Sequence, residues 1–177
     1  MLTLEKTYFA SGCFWGAERK FWMTSGVTST SVGYMGGNIK NPSYHAVCEG
    51  DTGHTEIVEV TFDASIVSYQ ELLELFWEMH DPTSYHRQGN DIGSQYRSAI
   101  FTTTEDQMQS AIASRDVYQT ELARSGYGKI CTEILPAAGV DYWPAEDCHQ
   151  RYLAKNPFGY DCHSSTGIPY PTKKVAL

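Results

Sequence analysis

Two helix-start signatures, each placed just after a run with strand character, constrain this chain more than any other feature. In Ser68-Tyr69-Gln70-Glu71 the hydroxyl and the carboxylate can satisfy each other's free backbone N–H groups, and Val67 and Leu72 can close over them as a hydrophobic staple. Leu72, Leu73, Phe76, Trp77 and His80 then continue one face, which predicts a helix. Thr104-Glu105-Asp106-Gln107 opens a second and longer one, with Met108, Ala111, Ile112, Tyr118 and Leu122 on its apolar side and Gly126 as its stop. A third, shorter helix is expected after Trp143-Pro144, with Glu146 and Asp147 in its first turn, ending before Asn156-Pro157. Strand character falls on Leu4 to Ala10, part of Val27 to Tyr34, Thr55 to Phe62, Arg97 to Phe101 and Lys129 to Leu135. Strands alternating with helices, without repeats or an interdomain linker, predict an α/β or α+β sandwich in which helices cover a sheet.

The first strand runs into Gly12-Cys13-Phe14-Trp15-Gly16, after which Phe14, Ala17 and Phe21 fall on one side of a helical pattern. Cys13 is therefore expected near a first helical turn, where unpaired N–H groups and the macrodipole favour a thiolate and lower the thiol pKa. Free cysteines are usually small buried hydrophobes, and for an isolated cysteine that reading leads. The flanking glycines bring a functional role level with it, since they admit close approach and cost stability if they do nothing.

At 177 residues the chain suits a single domain, 1–177, and its 41% hydrophobic and 19% charged residues describe an ordinary globular protein. A formal charge of −8, without a basic stripe, argues against nucleic-acid or membrane partners. Met1 to Ala10 lacks a long apolar run, so neither a signal peptide nor a membrane span is expected there, and a cytoplasmic location is. Five cysteines, an odd number, fit poorly with a secreted disulfide framework and are expected to be structural, metal-binding or catalytic.

Within Glu56-Ile57-Val58-Glu59-Val60-Thr61-Phe62, Glu56 has the parity of Val58, Val60 and Phe62. A carboxyl on the apolar face at the rim of a core is desolvated, which raises its pKa and keeps it protonated. The competing reading is a frayed strand end with Glu56 in water. The long polar stretch from His80 to Ser98 is of the kind that carries function. Beyond Tyr160 the chain loses periodicity, so 160–177 is expected to be an irregular, mobile tail.

Together these segments resemble the A-class peptide methionine sulfoxide reductases, whose hallmark Gly-Cys-Phe-Trp-Gly pentapeptide is intact at Gly12 to Gly16. The resemblance continues through Gly33-Tyr34, Gly36-Gly37, Asn41-Pro42 with Tyr44, Gly53-His54 with Glu56, Phe76-Trp77 and His80-Asp81-Pro82. Arg87-Gln88-Gly89-Asn90-Asp91, Gln95-Tyr96-Arg97-Ser98 and Ala145-Glu146-Asp147 with His149-Gln150 extend it over almost the whole chain.

The resemblance implies an α+β two-layer sandwich with a ferredoxin-like core, and reduction of methionine S-sulfoxide, free or in proteins. It implies that Cys13 attacks the sulfoxide sulfur, that Glu56 protonates the oxygen, and that Tyr44 and Tyr96 hold it. It also implies that Asp91 helps organise the site and that Phe14 and Trp15 wall the methyl pocket. A sulfoxide joins a polar S–O bond to an apolar side chain, so aromatic walls, phenols and a neutral carboxylic acid suit it chemically. Attack would leave Cys13 as a sulfenic acid, which condenses with a second thiol. The family's resolving thiol follows an Asn-Pro-x-Gly-Tyr turn, here Asn156 to Tyr160, which implies Cys162, although Asp161 intervenes in this chain. Cys148 is the second candidate, with Cys48 and Cys131 expected to be packing residues. The implied electron donor is thioredoxin or another dithiol, with no cofactor or metal, and nothing demands more than a monomer.

Two other chemistries compete. Cys148, His149, Cys162 and His163 could form a zinc site, although adjacent Cys-His pairs lack the usual ligand spacing. A cysteine hydrolase would pair Cys13 with His45 or His54 as base.

Overall fold

The computed structural model describes residues 1–161 and 164–172. Its strands are β1 (Leu4–Ala10), β2 (Val27–Met35), β3 (Thr55–Asp63), β4 (Arg87–Gln88), β5 (Asp91–Ile92), β6 (Ala99–Thr102), β7 (Glu133–Pro136) and β8 (Trp143–Pro144). Between them run α1 (Phe14–Trp22), α2 (Tyr44–Glu49), α3 (Tyr69–Met79), α4 (Glu105–Arg124) and, last, α5 (Tyr152–Lys155). The main sheet has the order β7-β6-β1-β3-β2-β8, while β4 and β5 form a separate small hairpin. Its central four strands, β6-β1-β3-β2, are antiparallel throughout, and with α1 and α3 they make the ferredoxin-like βαββαβ core. β7 joins β6 in parallel, which requires a crossover, and α4 supplies it.

Alternation along β3 decides which side each layer occupies. Val58, Val60 and Phe62 enter the large core with Phe9, Phe21, Leu72, Phe76, Trp77, Tyr118 and Leu122, all buried. Ile57 turns to the other face and joins Ala10, Met35, Ala99 and Phe101 under the 137–142 loop. All three long helices thus lie on one face, giving the expected two-layer mixed-sheet sandwich.

The Ser68 box forms in both directions: Ser68 Oγ accepts from Glu71 N at 3.1 Å and Glu71 Oε2 accepts from Ser68 N at 2.7 Å. At α4 only the forward half matches, since Gln107 turns its carbonyl oxygen to Thr103 N at 3.0 Å and its amide to Lys6 O at 3.1 Å. That draws Gln107 into the core, so the buried stripe is Gln107, Ala111, Ser114, Tyr118 and Leu122, with Met108 and Ile112 at its edge. Ser114 is there because its hydroxyl accepts the Trp77 indole N–H at 2.9 Å.

Two expected elements are shorter than their sequence pattern. The third helix breaks into a single tight turn, Asp147–His149, and the four-residue α5, separated by Arg151 in the left-handed region at φ 53°. Gln150 spends its side chain on both the N–H and the carbonyl of Val32, at 2.9 and 2.8 Å, and the Arg151 N–H goes to Glu18 Oε2 at 2.9 Å. These bonds to β2 and α1 replace a helical ladder. The strand expected from Lys129 begins only at Glu133, because Ile130 N–H donates to Gln119 Oε1 and Cys131 N–H to Pro82 O. Beyond α5 the described residues have no regular structure. Tyr170 is nevertheless buried, Tyr118 Oη donates to Ile168 O at 2.7 Å, and Tyr170 N–H donates to Glu78 Oε1 at 2.8 Å.

Candidate active site

The site lies where β1 ends and β3 begins, beside the start of α1. β1 stops at Ala10, Gly12 turns the chain at φ +97°, and Cys13 becomes the residue capping α1. The turn must be glycine for two reasons. A Cβ at Gly12 would be strained at that φ and would come within 2.8 Å of Gln88 Cγ. Gln88 is itself fixed by bonds to both backbone groups of Asp81, at 3.1 and 2.6 Å, so the long loop from His80 is drawn against the thiol's turn.

As expected of a helix start, the N–H groups of Trp15 and Gly16 reach the Cys13 sulfur and favour its thiolate. Their effect is outweighed. Burial, and then the charge of Glu56, push the Cys13 thiol well above the ordinary range, so the lowered pKa expected from position is not met.

Glu56 is the second cause, after burial, of the raised thiol. It is 1% exposed, on the core face of β3 as its parity required, and not a frayed end. Phe14 N–H donates to its Oε1 at 3.0 Å, while its Oε2 is buried with no partner. Burial pushes its carboxyl up to about 8, the Phe14 bond opposing and the charge of Asp91 adding to the shift. Glu56 is therefore a neutral acid at pH 7, and in that state its repulsion of the Cys13 thiolate is gone.

The other expected residues converge on the same acid. Tyr44, the first residue of α2, and Tyr96, in the Ser94–Tyr96 turn, are both raised by burial and then, among charges, by Glu56. Tyr44 also hydrogen-bonds Cys48 one turn on, so Cys48 acts on the site through that phenol. Asp91, on β5, acts on Cys13, Glu56 and Tyr96, and its Oδ1 accepts from Tyr160 Oη at 3.2 Å. Phe14 is buried against Tyr34 at 5.8 Å and Tyr44 at 6.4 Å between ring centroids, and Trp15 stacks on Tyr152 at 3.8 Å.

Four residues that build this region are not among the expected site residues. Glu146 accepts from Tyr34 Oη and from Tyr44 N, each at 3.1 Å, and so ties α2 to β2. His149 accepts the Trp15 indole N–H on Nδ1 at 3.1 Å. Tyr34 and Tyr152 supply ring faces. All four sit in motifs that the resemblance quotes or in the chain just beyond them, but only the folded turn reveals what each holds.

Cys162, the expected resolving thiol, and His163 lie outside the described residues. Their neighbour Asp161 is ion-paired with Arg19 of α1. Cys148 is exposed on its turn, and Cys131 is half-buried with its Sγ against the carbonyls of Pro82 and Ser84, each at 3.2 Å.

The hydrolase reading does not fit the arrangement, and two of the four zinc candidates, Cys162 and His163, lie outside the described residues. His54 spends Nδ1 on Gly37 N–H and Nε2 on Ile39 O, and His45 ion-pairs with Glu49 at the surface, so neither is placed as a base for Cys13. Among the described residues no three acidic, His or Cys side chains form a metal-holding group, and His149 already has Trp15 on Nδ1.

A half-buried thiol at a helix start, a buried neutral acid with one open oxygen, two phenols and an aromatic wall define a site for thiol-based reduction of a small polar group on an apolar chain. The model of the peptide methionine sulfoxide reductase family matches residues 5–173. The peptide methionine sulfoxide reductase MsrA of Streptomyces griseus is 59% identical over 168 residues, covering 95% of this chain and 76% of that protein. The structure of methionine sulfoxide reductase A of Corynebacterium diphtheriae superposes with a TM-score of 0.86 at 49% identity, covering 94% and 83% of the two chains. Reduced Mxr1 of Saccharomyces cerevisiae superposes at 0.80 with 32% identity, covering 92% and 91%. The chain belongs to the peptide methionine sulfoxide reductase family, oxidoreductases that act on methionine sulfoxide.

Proposed function

We propose that this chain, as one catalytic domain spanning 1–177, reduces methionine S-sulfoxide, free or in proteins, with Cys13 as nucleophile and Glu56 as acid. The observation that carries the reading is Glu56: a carboxyl held neutral, gripped on one oxygen by Phe14 N–H and open on the other.

In the first step Glu56 gives its proton to the sulfoxide oxygen while Cys13 sulfur attacks the sulfoxide sulfur, its own proton going to the Glu56 carboxylate. The oxygen then passes to Cys13. Cys13–SH and R–S(O)–CH3 become Cys13–S–OH and R–S–CH3, so Glu56 ends as it began and no outside proton is consumed. Tyr44 and Tyr96, both kept protonated by burial, donate to the oxygen as charge builds on it. Asp91 adds to the field that keeps Glu56 protonated. Phe14 and Trp15 receive the S-methyl group.

In the second step Cys162, on the tail from residue 160, attacks the sulfenic acid, releasing water and forming a Cys13–Cys162 disulfide. Cys148, exposed in the Asp147–His149 turn, is the second choice of resolver. Thioredoxin or another dithiol then reduces the disulfide, returning both thiols in a cytoplasmic, monomeric enzyme that uses no metal or organic cofactor.

The test is a turnover assay on separate sulfoxide epimers with thioredoxin as donor. Reduction of the S epimer that disappears in Cys13→Ser supports the reading, and S-epimer reduction that survives this substitution contradicts it.

A further inference from the structure

The Trp15 indole is fixed from two directions. Tyr152 lies against its face at 3.8 Å and 15° between planes, and His149 Nδ1 takes its N–H at 3.1 Å. The same imidazole packs 4.3 Å from the Tyr44 ring and 5.6 Å from Phe14. One side chain thus touches both proposed methyl-pocket walls and a phenol proposed to hold the oxygen.

His149 is itself held rigidly. Its N–H donates to Glu146 O at 2.9 Å, and Glu146 is bonded to Tyr34 and Tyr44. On its other side, Gln150 grips Val32 of β2 at both N and O. The residue is 8% exposed, and accepting on Nδ1 requires the neutral tautomer with its proton on Nε2. Burial lowers the imidazole pKa and maintains that state.

We propose that His149 is a positioning residue that sets the width of the methyl pocket by holding the Trp15 indole, and so makes this enzyme select methyl over longer alkyl sulfoxides. The proposal rests on the reading of Phe14 and Trp15 as the pocket's walls. One added methylene in a tight apolar pocket costs about 10- to 200-fold in kcat/KM. A released indole can swing aside to admit it, and that discrimination then collapses.

The experiment compares kcat/KM for free methionine sulfoxide and its S-ethyl homologue, ethionine sulfoxide, with dithiothreitol as donor, in the parent, His149→Leu and His149→Asn. Leucine keeps bulk without an acceptor, whereas asparagine can place Oδ1 close to the Nδ1 position. The methyl-to-ethyl ratio is expected to fall about tenfold in His149→Leu and to be largely restored in His149→Asn, a pattern that a merely structural role would not produce. Hydrogen exchange of the Trp15 indole N–H, read by NMR in the parent, is expected to be slow, so the proposal stays testable if the leucine variant does not fold. A parent ratio kept in His149→Leu, an equal fall in both variants, or indole exchange at the solvent rate would overturn it. A parent enzyme that reduces neither sulfoxide would overturn the underlying function.

Discussion

Phe14 N–H donates to Glu56 Oε1 at 3.0 Å, so the residue that follows the thiol also holds the acid. One peptide group sets the spacing of the proposed nucleophile and the proposed proton donor, and any motion of the α1 start moves both. The second carboxyl oxygen remains buried and unpartnered, at a desolvation cost that a substrate oxygen would relieve.

Glu56→Gln keeps the shape and the Phe14 bond but has no proton to give. Sulfoxide reduction should slow by about 10²- to 10⁴-fold, the usual span for a general acid, with KM changing far less. Rapid-quench measurement of the first methionine released checks this apart from the later disulfide steps.

The raised carboxyl pKa of Glu56 also fixes a pH dependence. Glu56 is protonated below about 8 and ionises above it, so the first step should fall as pH rises through that value. In the unfolded chain the carboxyl ionises at its ordinary pKa. Between that point and about 8 the folded state alone holds the proton, and stability declines with rising pH at roughly 1.4 kcal/mol per unit. Glu56→Gln should therefore be more stable than the parent at pH 8, as urea unfolding of the two would show. A parent that is the more stable of the pair would contradict it.

Tyr44→Phe and Tyr96→Phe each remove one phenolic donor while leaving the ring. Each should lower kcat/KM by roughly tenfold, and the double variant should lose more than either, since the substrate oxygen then faces only Glu56. Steady-state assays of the three variants separate this from a packing effect, which would appear as a lowered melting temperature.

His80 carries a stability switch of opposite sign. It is 1% exposed, its Nδ1–H donates to Phe76 O at 2.6 Å, and its Nε2 accepts from Ser98 Oγ at 2.7 Å. Burial lowers its pKa from 6.5 to about 4. As pH falls from 6.5 the unfolded chain binds a proton that the folded state refuses, so stability drops, by about 3 kcal/mol once pH 4 is reached. Denaturant midpoints at pH 7 and pH 5 should show this loss in the Glu56→Gln background, which removes the opposing Glu56 trend, and His80→Gln in that background should lack it.

Much of this was legible in the chain because the signals were local. The Ser68 box, the parity of Glu56 and the glycine-flanked thiol each depend on a few neighbouring residues, and each fell where its pattern placed it. The failures share a different cause. The break at Arg151, the late start of β7 and the shifted stripe of α4 all follow from side-chain amides, Gln150, Gln119 and Gln107, bonding to backbone of other elements. Such bonds join residues far apart in sequence and leave no periodic trace. The Cys13 pKa failed similarly: the helix start was visible, but the burial and the Glu56 charge that outweigh it appear only when β3 meets α1.

The central claim, that Cys13 takes the oxygen and Cys162 resolves it, is tested most directly by reacting the reduced enzyme with methionine S-sulfoxide without reductant and mapping its thiols by mass. The account predicts one methionine per enzyme, loss of two thiols and a Cys13–Cys162 linked peptide, with Cys162→Ser still releasing one methionine and stopping at the Cys13 sulfenic acid. Methionine release with Cys13 unmodified, or a Cys13–Cys148 link with Cys162 free, would contradict it.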